Sequence, residues 1–263
     1  MKSYIYMIKI KILLSLAYKS EIYIRFISYV ILLFSTVYFW KAAFKGIENV
    51  AGINEQQILI YTVMSLMIRN WHSISVEDNI RNQIRMGNIA VDLIKPINIF
   101  GMYFSEDIGQ TVTSILQSTL PILICSILFI VKPIPASILH FILFIISFSL
   151  GYLILWLISA LFGLLYFQFI DLGPLSDIKN SILSILSGSF LPIWFFPKGF
   201  QDVSQYLPFI YIYQHPIGIY IGKYSIYESM QGCLIQTIWL VLLWTIFYKM
   251  HKRIEAAILI QGG

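Results

Sequence analysis

The sequence predicts an all-α membrane protein with six transmembrane helices, an N-terminal amphipathic helix at the membrane interface, and a re-entrant hairpin before the last helix. Three observations predict it. Six apolar runs are almost free of ionisable residues, and each approaches the ~20 residues an α-helix needs to cross ~30 Å of hydrocarbon. Hydrophobic residues make up 58% of the 263-residue chain and aromatics 16%, with a mean hydropathy of +0.78, more than a soluble domain of this length can bury. Lys and Arg are unevenly shared between the loops, as orientation in a membrane requires.

The first residues, 1–21, mix apolar side chains with Lys2, Lys9, Lys11 and Lys19, too closely spaced for a span and suited to a surface helix. Crossing one runs over 22–44, with Arg25 and Lys41 near its ends, where long side chains reach the interface. Crossing two covers 57–72 and is interrupted by Arg69. Crossing three, 108–131, is clean. The uncharged stretch 133–170 contains 38 residues and is one long projecting helix or a tight pair. Crossing five starts near Asn180 and fades at Pro192; crossing six covers 229–248. Between them Pro192, Pro197 and Pro208 interrupt an apolar segment. Each lacks an N–H donor and disfavours helix in the residue before it, so 190–222 reads as a hairpin dipping in from the outer face.

With six crossings and a cytoplasmic N-terminus, 13 of the 18 Lys and Arg residues lie inside and 5 outside. This places both termini in the cytoplasm and the chain in the plasma membrane. The net charge of +5 is then cytoplasmic loop charge rather than a nucleic-acid surface. The abundance of Ile, Lys and Tyr points to an AT-rich, bacterial source. Cys125 and Cys233 lie in apolar runs without metal-ligand spacing and read as free thiols.

No hydrolase elbow, metalloprotease helix, Cys/His cluster or paired intramembrane carboxylates are present. The middles of the six spans carry no titratable group of the kind ion-coupled transporters use, and no phosphate-binding loop exists. Coupling energy would come from a separate polypeptide. The loop 73–107 offers a docking element: Ile74, Ile80, Ile84 and Met86 interleave with Glu77, Asp78, Arg81 and Arg85 as a short amphipathic helix, capped by Gly87. An ordinary solvated surface helix has the same pattern.

The run Ile84-Arg85-Met86-Gly87-Asn88-Ile89 to Leu93-Ile94-Lys95-Pro96-Ile97 resembles the basic-Gly, Leu-x-Lys-Pro loop of permease subunits of type-2 ATP-binding cassette exporters. The segment Ser187-Gly188-Ser189-Phe190-Leu191-Pro192, Phe196-Pro197 and Leu207-Pro208-Phe209 resembles their proline-punctuated re-entrant piece. The resemblance implies that 1–263 is a single transmembrane permease domain. It implies pairing with a second permease, identical or paralogous, and with separate ATPase subunits that hold the ATP and Mg, while this chain binds no cofactor. The helix carrying Glu77, Asp78, Ile80, Arg81, Ile84, Arg85 and Gly87 would be the coupling element, with Ile80 and Ile84 as apolar anchors, and the prolines would shape an outer gate. The cargo would be a drug, antimicrobial peptide or lipid-like amphiphile. A membrane immunity or assembly protein that transports nothing is the alternative.

Two features stay open. Gln110, Thr113, Ser114, Gln117 and Ser118 form a polar stripe on crossing three that either lines a substrate path or glues helices. Tyr206, Phe209, Tyr211, Tyr213 and Tyr220 are an outer gate or an aromatic belt.

Overall fold

Helix dominates because backbone N–H and C=O groups in hydrocarbon must pair within their own segment. The computed structural model describes residues 2–17, 19–93, 95–169 and 175–261. Met1, Tyr18, Ile94, Ile170 and Gly263, which the sequence reading used, lie outside these residues. In chain order the elements are α1 (Lys2–Ala17), α2 (Lys19–Ala43), a two-residue antiparallel hairpin of β1 (Asn49–Val50) and β2 (Ile53–Asn54), α3 (Glu55–Trp71), α4 (Val76–Arg85) and α5 (Ile89–Leu93). Then follow α6 (Ile99–Ser114), a π-helical turn over Ile115–Thr119, α7 (Leu120–Phe129), α8 (Ile138–Gln168) and α9 (Leu175–Leu186). A 3₁₀ turn at Ile193–Phe195, α10 (Lys198–Ser204), a second 3₁₀ turn at Phe209–Tyr211, α11 (Gln214–Tyr220) and α12 (Ile226–Gln261) complete the chain.

Among the described residues four helical stretches are long and apolar enough to cross a membrane: Phe26–Ala43, Ile99–Phe129, Ile138–Phe167 and Ile226–Glu255. They correspond to crossings one, three, four and six, and the stretch that begins at Pro133 contains one long helix, Ile138–Gln168, not a tight pair. α3, with 17 residues, is about 25 Å long, and α9, with 12, about 18 Å, so both are short for independent spans. α3 is nevertheless largely enclosed, with every residue from Ile58 to Ile68 buried.

The π turn has a local cause. Pro121 cannot donate to the carbonyl of Gln117 and its ring crowds that carbonyl, so the ladder widens by one residue just before it.

α1 departs from the expected amphipathic helix. Its Ile5, Tyr6, Ile10, Leu13 and Leu14 are exposed, and its other face packs on α6, where Gly101 and Gly109 make room. A Cβ at Gly109 would lie 2.9 Å from the Ile8 carbonyl oxygen, and one at Gly101 3.1 Å from the Tyr4 ring. Apolar side chains therefore cover both faces, and Lys9 and Lys11, two positions apart, do not share one polar stripe.

The loops gather at two ends. At one, Lys223 Nζ donates to the carbonyls of Ala51 and Gly52 at 2.6 and 3.2 Å, Gln57 Nε2 to Ile221 O at 3.2 Å, and the Ala136 N–H to Tyr220 O at 3.0 Å. At the other lie α4, α5 and the start of α9. α3 joins the two ends.

Candidate functional site

The loop helix α4 starts at Ser75, whose side chain does not cap its own helix. Instead the Ser75 N–H and hydroxyl both donate to Asp107 Oδ1, at 2.9 and 2.7 Å, while Trp156 Nε1 donates to Oδ2 at 3.1 Å. Asp107, fully buried on α6, thus ties α4 to α6 and α8. Beside it Lys179 of α9 donates to Glu77 Oε1 at 2.6 Å and to Ser159 Oγ of α8 at 2.9 Å. Both ion-pair partners are buried. Burial pushes the Glu77 carboxyl above its ordinary range, and Lys179 pulls it back only in part. The α8–α9 contact continues in the hydrogen bond between Tyr166 and Ser176 hydroxyls, with the Arg81 guanidinium 5.8 Å from the Tyr166 ring centroid.

This geometry corrects the placement of the apolar anchors. Ile80 is fully buried against Gly163, where an added Cβ would meet its Cδ1 at 2.8 Å, so it belongs to the α4–α8 contact and is not presented to a partner. Ile84 is half-buried. The outward face of α4 is Asp78, Asn82, Arg85 and Met86, the last 71% exposed. Amphipathic periodicity gave the helix but not which surface its apolar side covers.

The chain leaves α4 through Gly87, whose φ of +71° suits glycine and closes the helix with Gly87 N–H to Ile84 O and Asn88 N–H to Gln83 O. Lys95 then pairs with Asp92 at 2.6 Å, and the Tyr103 hydroxyl donates to Asp92 at 2.9 Å, so the Lys-Pro turn is anchored to α6. Asn98 caps α6 through the Gly101 N–H.

Members of the polar stripe on α6 and its π turn bond to α1, to the 72–75 loop and to α6 itself. Gln110 accepts from Ser15 at 3.1 Å, Gln117 donates to Ser15 O at 3.3 Å, Ser114 meets Ser73 at 3.0 Å, and Thr113 bonds back to Gly109 O. These hydrogen bonds tie α6 and its π turn to α1 and to the loop before α4.

At the other end the proline-rich segment is built of short pieces. Pro192, Pro197 and Pro208 each stand immediately before one of them, and no continuous helix covers 203–222. Its free backbone groups are met by uncharged side chains: Tyr61 donates to Gly188 O at 2.6 Å, Ser65 to Ser189 O at 2.5 Å, and Gln214 Oε1 accepts from the Ile193 N–H at 2.5 Å. Gln236 of α12 donates to both Ser147 O and Tyr211 O at 2.8 Å. Gly188 has φ +75° and no room for a Cβ beside Gln214 and Tyr61. Tyr211, Tyr213 and Tyr220 are buried, whereas Tyr206 is 81% exposed. A cavity of about 740 Å³ opens between α10, α11 and the start of α12, edged by Trp194, His215, Tyr224 and Glu228.

Residues 30–257 match the family described as ABC-2 family transporter protein, most of the chain, including the loop helix and the broken segment. The chain belongs to this ABC-2 transporter family. No curated protein matches the sequence. The ABC-2 permease family is a membrane transport component, which agrees with the resemblance read from the loop and the prolines.

Lys179, Asp107 and Trp156 escaped the sequence reading. Lys179 stands 102 positions from Glu77, and no local pattern marks the two as partners.

Proposed function

We propose that this ABC-2 permease is the membrane subunit of an ATP-driven exporter, with α4 docking on separate ATPase subunits that bind the ATP and Mg. One observation carries the reading: α4 is fastened to the membrane core on one face by Asp107, Ile80 and Lys179, while Asp78, Asn82, Arg85 and Met86 face away from it. A helix so held transmits force. Met86 is the exposed apolar anchor of that face, and the surrounding polar residues fix orientation at the rim.

Six crossings fit the two-ended loop arrangement. α3 carries the chain from the β-hairpin end to the α4 end, and its enclosure tolerates a shorter helix than a lipid-facing span. α9 starts at the α4 end and reaches the 187–189 turn, which meets α3 at Tyr61 and Ser65, about 9 and 15 Å along that helix. The 190–222 segment is then a re-entrant outer gate buried in protein, and both termini face the cytoplasm of a bacterial plasma membrane.

The groove between α2, α3 and 189–192, lined by Thr36, Tyr61, Thr62, Ser65, Arg69 and Ser189, supports a substrate path shared with a second permease. Its mixture of hydroxyls, one cation and Leu32, Trp40 and Leu66 suits an amphiphile leaving the cytoplasm or inner leaflet.

The test is purification of the tagged permease from its native host, followed by assay of the ATPase activity it carries. An ATPase in stoichiometric amount is expected, and Met86→Asp should release at least ten-fold of it while leaving the permease in the membrane. Equal recovery with Met86→Asp would remove α4 as the docking element.

A further inference from the structure

The contacts around α4 form a closed circuit. α4 continues from α3 through residues 72–75, which Asp107 pins. It is joined to α9 through Glu77 and Lys179. α9 ends at Leu186, and the turn that follows returns to α3 through Tyr61 and Ser65 on the carbonyls of Gly188 and Ser189. The same turn holds α11, whose Gln214 N–H donates to Ser187 O at 3.1 Å. Three helices joined at three corners cannot shear without breaking a corner. The Glu77–Lys179 corner is the one made by a buried ion pair, and Ser159 of α8 seats the ammonium at 2.9 Å.

We propose that Glu77 and Lys179, seated by Ser159, are a strut that makes α3, α4 and α9 move as one frame, delivering displacement of the loop helix to the 187–192 turn of the outer segment. The inference rests on the docking role of α4 proposed above. Geometry favours a mechanical role over a stabilising one. Glu77 Oε2 is buried and lacks a hydrogen bond of ordinary geometry among the described residues; Ser176 and Lys179 favour the charged carboxylate, but burial outweighs them and leaves the carboxyl raised, so the pair is incompletely compensated for leaving water. Buried ion pairs of this kind contribute little net stability, whereas removing one partner strands the other charge. Glu77 and Lys179 are therefore positioning residues, and both charges must be removed together to examine them.

The experiment uses the permease–ATPase complex in proteoliposomes, with Cys125 and Cys233 changed to Ser and a reporter at Tyr206→Cys in the outer segment. The readouts are the ATP-dependent change in thiol-labelling rate at the reporter and the substrate moved per ATP hydrolysed. Glu77→Gln combined with Lys179→Met keeps shape without charge; it should retain ATPase association and hydrolysis but lose at least ten-fold of the labelling response and of transport per ATP. The swap Glu77→Lys with Lys179→Glu should recover at least half of both, which a filler role would not require. A wild-type labelling response in the neutral pair overturns the strut, as does a swapped pair that assembles with ATPase yet shows no response. If the neutral pair fails to accumulate, the swap alone decides on the same terms. A wild-type complex that carries no ATPase overturns the docking reading underneath, a result distinct from intact coupling without the strut.

Discussion

The two ends of this permease are held together by different chemistry. Around α4 the fastenings are charged: Asp107 collects three donors, Glu77 pairs with Lys179, and Asp92 pairs with Lys95. Around the broken segment they are neutral, with Tyr61, Ser65, Gln214 and Gln236 meeting carbonyls and an N–H of that segment, and Gln236 bonding in addition to the Ser147 carbonyl of α8. The difference follows from what each region lacks. α4 is a complete helix that needs a rigid attachment, for which a charged hydrogen bond is stronger. The broken segment has orphaned backbone groups that must be satisfied away from water, and neutral amides and hydroxyls do this without the cost of burying charge.

The comparison orders the expected effects of substitution. Asp107→Ala should be the most damaging, since it strands the buried Trp156 N–H and the half-buried Ser75 N–H and hydroxyl; a loss of about 3 kcal/mol is expected, read as a fall in thermal unfolding temperature in detergent. Gly188→Val should come next, at about 2 kcal/mol, because valine resists a φ of +75° and its Cβ would press on Gln214 and Tyr61. Gln236→Leu removes the donor to two carbonyls and should cost about 1–2 kcal/mol by the same measurement. Gly87→Ala should be mildest, about 1 kcal/mol, since only the backbone conformation is strained and no atom lies within 4 Å of the new Cβ. If Gln236→Leu proved worse than Asp107→Ala, the charged end would not be the stronger fastening.

Much of this was legible in the sequence because it is local. The apolar runs gave α2, α6–α7, α8 and α12, the amphipathic period gave α4 with its glycine cap, and Pro192, Pro197 and Pro208 marked where helix stops. What was not legible depends on which helices meet. The α1 sequence looks like a surface helix until Gly101 and Gly109 of α6 turn out to receive it. The Gln110 to Ser118 stripe does not by itself announce the hydrogen bonds it makes with Ser15 and Ser73. Ile80 looks like an anchor for a partner until Gly163 of α8 takes it. In each case a small residue distant in sequence is the partner, and an isolated pattern cannot name its partner.

The central claim is that the α4 end faces the cytoplasm, where an ATPase binds, and the broken segment faces out. Met86 and Tyr206 are 71% and 81% exposed at these two ends, so each can be made a single cysteine in a chain lacking Cys125 and Cys233 and offered an impermeant thiol reagent on intact cells. The account predicts that Tyr206→Cys is labelled at once and Met86→Cys only after the membrane is permeabilised. Prompt labelling of Met86→Cys on intact cells, with Tyr206→Cys protected until permeabilisation, would contradict it.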